Sequence, residues 1–89
     1  MIHETVTSLL GPDVLERATR FFAERVPQHT AHLQEQGPSF AVFRGQGGEE
    51  IALAVQAAAE GTRVRASTLL FDQAVGRFFS TLPGPAGDA

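Results

Sequence analysis

The order of apolar and polar residues changes period several times along the chain, and each change marks an element. The pattern is clearest from Glu49 to Leu82. Ile51-Ala52-Leu53-Ala54-Val55 alternates bulky with small residues, the period of a strand that buries one face. Thr62-Arg63-Val64-Arg65-Ala66-Ser67-Thr68 alternates in the same way, and Glu60-Gly61 between the two runs has hairpin chemistry. Phe71, Val75, Phe78, Phe79 and Leu82 then recur at helical spacing and form a single apolar stripe. A ribbon with one apolar face and a helix with one apolar stripe can bury each other.

The earlier part of the chain supplies the remaining elements. Ile2 to Leu10 reads as a strand, because Thr5, Val6 and Thr7 favour extended backbone; a short packed helix is the alternative. Gly11-Pro12-Asp13 opens a helix, since proline loses no hydrogen bond at a first helical position. Asp13 and Glu16 suit the positive end of its dipole. The helix runs to about Val26, with Val14, Leu15, Ala18, Phe21, Phe22 and Val26 inward, and Pro27 stops it. His29 to Gln36 reads as an edge strand and Ser39 to Arg44 as the next strand, joined through Gly37-Pro38. Asp72 is the expected N-cap of the last helix.

These elements predict an α+β two-layer sandwich: an antiparallel meander of three to four strands with two helices on one face. Phe40, Val42, Ile51, Leu53, Val55, Val64 and Ala66 are expected on the helix side. With 89 residues the chain has material for one core, so residues 1–82 are expected to form one domain. Residues 83–89, rich in proline and glycine, are expected to be a flexible tail.

Composition then removes several function classes. A net charge of −3 is a poor match for phosphate backbones, so no nucleic-acid partner is expected. The absence of cysteine removes disulfides, thiolate metal sites and cysteine nucleophiles. No apolar run has membrane-spanning length and the first residues lack a secretion signal, so the expected setting is cytoplasmic, without membrane insertion.

Candidate chemistry is sparse. Gly45-Gln46-Gly47-Gly48 leads into Glu49-Glu50 and a strand, which suits a turn and repels a phosphate. His29 and His32, with His3 apart, lack the further ligands that a structural zinc needs, so no metal or cofactor is expected. Ser39, Ser67 and Ser80 lie in no recognisable nucleophile turn. A catalytic role is therefore not expected.

The sheet face turned from the helices is more informative. On this reading it carries Ala41, Phe43, Ala52, Ala54, Gln56, Arg63, Arg65, Ser67 and Leu69. A face left to water is normally polar, whereas this one has apolar bulk, a strip of alanines and two arginines. Cover by loops or by the N-terminal segment would explain it, and scattered apolar surface is commonly harmless. An interface would too, with Phe43, Ala52, Ala54, Arg63, Arg65 and Leu69 in contact with a second copy of the chain or another protein.

Gly61-Thr62-Arg63-Val64-Arg65-Ala66-Ser67 followed by the helix Asp72 to Leu82 resembles the closing strand and final helix of the START-like (polyketide cyclase and lipid-transfer) superfamily. The resemblance covers about the last third of the chain. It implies an apolar small molecule held between the final helix and a bent sheet. The chain is short for that family's full set of strands, and its helix ends at Pro83. The first expectation is a non-catalytic interaction module, and the second a binder of an apolar small molecule.

Overall fold

The computed structural model describes residues 2–24, 31–45, 50–68 and 71–84. Along these run β1 (Ile2–Thr7), α1 (Gly11–Glu24), β2 (Ala31–Gln36), β3 (Phe40–Gly45), β4 (Glu50–Ala58), β5 (Gly61–Thr68) and α2 (Asp72–Ser80). The strands form one sheet in the order β1-β5-β4-β3-β2, antiparallel at every pairing. The α+β class and the meander from β2 to β5 are as expected. The sheet has five strands rather than three to four, because the N-terminal segment is a strand and pairs with β5.

That pairing dictates the course of α1. β1 and β2 occupy opposite edges, four strand spacings or about 19 Å apart. A 14-residue helix is about 21 Å long, so α1 has the length to carry the chain across the sheet. It packs over β2, β3 and β4, while α2 lies beside it and over β1. No helix among the described residues is long and apolar enough to cross a membrane.

The core lies between the helices and one sheet face. Val14, Leu15, Ala18 and Phe22 from α1 and Ala74, Val75 and Phe78 from α2 meet Ala41, Phe43, Ile51, Leu53, Val64 and Ala66. At its centre are aromatic rings from three elements. The Phe22 ring sits 5.2 Å from Phe43, 5.4 Å from Phe78 and 5.4 Å from Phe21, within the range of favourable aromatic contact.

The faces of β3 are the reverse of those expected. Phe43 opposes Ile51 and Ala41 opposes Leu53, and opposed residues in an antiparallel pair share a face. Ala41 and Phe43 therefore point to the helices, with Phe43 fully buried, while Phe40 and Val42 point away. Connection length is the reason. Arg44 opposes Glu50, which leaves the five residues 45–49 between them. The expected assignment of faces requires an even number, and one residue of slip inverts a strand.

One further expectation changes. Asp72 begins α2 but does not cap it: Phe71 holds the N-cap position without a side-chain cap bond, and the Asp72 carboxylate is used elsewhere. The described residues include the first two of the expected tail, and both are in contact with the end of β1. Thr7 Oγ1 donates to the Pro83 carbonyl at 2.7 Å, and Ser8 N donates to the Gly84 carbonyl at 3.0 Å. Residues 85–89 of the expected tail, the end of α1 expected at Val26, and most of the glycine-rich turn lie outside the described residues.

Gly61 closes the β4–β5 hairpin at φ +134°, where side chains are strained, and a Cβ there would run into the Thr7 carbonyl oxygen. Gly61→Ala is expected to lower unfolding free energy by about 2 kcal/mol or more, since backbone strain alone costs about 1–3 kcal/mol. Phe78→Ala is expected to cost about 3–5 kcal/mol, a large part of a typical total of about 5–15 kcal/mol. Phe79→Ala, at a half-buried ring, is expected to cost far less. Urea unfolding of the three variants checks this order. Equal losses at Phe78 and Phe79 would contradict the placement of α2.

Candidate functional site on the open sheet face

The register builds the face turned from the helices in four rows. Glu50, Arg44 and His32 form the first. Ile2, Ser67, Ala52, Val42 and Glu35 form the second, and Glu4, Arg65, Ala54 and Phe40 the third. Val6, Arg63 and Gln56 form the last. Small residues on β4 separate the larger side chains of β3 from the arginines of β5, leaving a shallow groove of about 230 Å3. It is lined by Phe40, Val42, Ala52, Ala54, Arg65 and Ser67.

The groove is apolar at its centre and polar at its margins. Phe40 is 36% exposed and Ile2 56%, so the face presents a large apolar side chain on β3 and another on the β1 edge. The Phe40 ring lies against Gly37, where a Cβ would collide with it, so glycine there leaves the ring its place. At one margin Arg44 is held by Glu50 at 3.0 Å and by Gln34 at 2.8 Å. At the other, Arg63 and Arg65 are exposed and have no ion-pair partner among the described residues.

Of the residues expected to form an interface, Ala52, Ala54, Arg63 and Arg65 lie together on this face. Phe43 does not: it is a core residue packed on Phe22. Leu69 lies outside the described residues. Phe40 and Val42 are the aromatic and aliphatic side chains actually presented there, and Ile2, Glu4 and Val6 join them from β1. Phe40 was hidden from sequence reasoning by the even apolarity of β3. Loop parity was the signal that could have found it.

The other candidates are dispersed among the described residues. Ser67 faces outward on β5, and Ser80 Oγ donates to the Arg77 carbonyl at 2.6 Å. His3 lies on the helix side, where its Nε2 contacts Asp72 Oδ1 at 2.7 Å. His32 is exposed on the edge strand β2, and His29 lies outside the described residues. Among the described residues no group of three or more His, Cys, Asp or Glu side chains could hold a metal ion. The layer between α2 and the sheet, where a START-like ligand would sit, contains the buried side chains Ala74, Val75, Phe78, Val64 and Ala66.

The chain matches no family model, no curated protein and no solved structure.

The His3–Asp72 contact ties β1 to the start of α2 and has a consequence for pH. Its hydrogen bond holds the Asp72 carboxyl below the ordinary 3.8, so the folded state favours the ionised form. The contribution is present above the unfolded-state pKa and disappears as pH falls through the lower folded-state value. Thermal melts from about pH 6 to about pH 2.5 are therefore expected to fall more steeply for the wild-type chain than for Asp72→Asn below about pH 4. Parallel curves would show that the contact is not formed in solution.

Proposed function

We propose that the chain is a non-catalytic protein-interaction module that docks through the open face of its sheet. One observation carries this reading. The face presents Phe40, Val42, Ala52 and Ala54 around a shallow apolar groove, with two arginines beside it that have no ion-pair partner among the described residues. An antiparallel sheet exposed only to water gains nothing from that arrangement. Docking surfaces combine such features: an apolar centre reached past small residues, an aromatic anchor, and arginine near the margin.

The shape of the site also favours a broad partner. The groove is open, and beyond the arginines of β5 the same face carries Ile2 and Val6 at the β1 edge. A small molecule would be covered on one side only, whereas ligand sites normally enclose most of their ligand. For the alternative of an apolar molecule between α2 and the sheet, buried side chains already occupy that layer.

Photo-crosslinking in the source cell tests the reading. A photoreactive residue at Ala54, in the groove, is expected to form a protein adduct. The same residue at Gln73, on the exposed side of α2, is not. Adducts of equal yield at both positions, or at neither, would remove the open face as a docking surface.

A further inference from the structure

Resting on the reading of the open face as a docking surface, we infer that its occupant is a second copy of this chain. The two sheets pack face to face about a two-fold axis that runs along the strands. The argument starts from charge. The open face carries three carboxylates, Glu4, Glu35 and Glu50, and three guanidinium groups, Arg44, Arg63 and Arg65. The whole chain, by contrast, has a net charge of −3. The face is therefore the part of the molecule that can meet its own copy without a net like-charge penalty. A strongly acidic or basic partner would find no matching field on it.

The distribution of these charges selects the axis. In a two-fold assembly the same patch meets itself, so each contact occurs twice. Two orientations place β4 over β4 of the second copy, bringing the small side chains of Ala52 and Ala54 together at the centre. With the axis across the strands, β5 would lie over its own copy and gather Arg63 and Arg65 from both chains along one line. With the axis along the strands, β5 lies over β3 of the second copy and β1 over its β2. Arg65 and Phe40 share a row on either side of Ala54, so each Arg65 then reaches the Phe40 ring of the other chain. A guanidinium over an aromatic face is a favourable contact. Ile2 and Glu4 move towards the polar β2 edge, and the arginines of β5 no longer face their own copies; Glu50 of β4 meets its own copy across the axis, each carboxylate held by the Arg44 of its own chain.

Area sets the strength. Five strands at about 4.8 Å spacing, over about 20 Å of strand, give a footprint of roughly 500 Å2 per copy. A standard specific interface buries about 800 Å2 per partner, so the assembly is a reversible dimer with micromolar dissociation.

Sedimentation and cysteine crosslinking of the purified chain test this together. The 9.5 kDa chain is expected to move from monomer to dimer across the micromolar range, and Phe40→Glu to remain monomeric with an unchanged melting curve. The natural chain lacks cysteine, so Ala54→Cys reports on one contact. Under mild oxidation it is expected to form a disulfide-linked dimer, while Gln73→Cys remains monomeric. If Phe40→Glu fails to fold, the Ala54→Cys and Gln73→Cys pair still decides. A wild-type chain monomeric throughout that range overturns the inference. So does a dimer that Phe40→Glu does not disrupt and Ala54→Cys does not trap. A monomer that still gives Ala54 adducts in the cell would leave the docking surface standing with a different occupant. A monomer without such adducts would end both readings.

Discussion

The Phe22 ring is the point on which the rest of the structure depends. It belongs to α1, and it touches Phe43 of the sheet and Phe78 of α2, so three elements distant in sequence converge on one side chain. Seven phenylalanines and no tyrosine or tryptophan make such a centre possible without polar atoms to satisfy. A chain of this size buries a modest share of its surface, and a few large rings supply much of the return. With Phe43 committed to that centre, the alternation of β3 sends Phe40 and Val42 to the other side. The open face is thus a consequence of the core.

Polar side chains finish what the rings begin. The buried hydroxyls of Thr7, Thr62 and Thr68 donate to the carbonyls of Pro83, Leu9 and Glu50, fixing the chain around the sheet at three places. Thr7 and Thr62 oppose each other at the end of the β1–β5 pair, beside Gly61, where backbone approaches too closely for any side chain. The helix-covered side is therefore closed and satisfied, with no buried side-chain nitrogen or oxygen left without a partner among the described residues. The opposite face carries the exposed Phe40 and Ile2 and the arginines of β5.

What could be read from the sequence follows from how unequal the two faces of each strand are. β4 sets Ile51 and Leu53 against Ala52 and Ala54, and β5 sets Val64 against Arg63 and Arg65, so alternation alone orients both. β3 has Phe40 and Val42 on one side and Ala41 and Phe43 on the other. Each side has one phenylalanine, and only the length of the connection to β4 breaks the tie. Long-range partners were equally hidden. Nothing near Ile2–Thr7 says that it pairs with β5, and nothing near Asp72 says that His3, distant in sequence, displaces its local role as a cap. Ala52, Ala54, Arg63 and Arg65 were legible as members of the open face because they lie on the two strongly patterned strands.

The orientation of β3 decides both the core and the open face, and ring-to-ring nuclear Overhauser effects measure it directly. The account predicts strong cross-peaks from the Phe22 ring to Phe43 and Phe78, with none to Phe40. Cross-peaks between Phe22 and Phe40, with Phe43 free of contact to α1, would place β3 the other way up and contradict it.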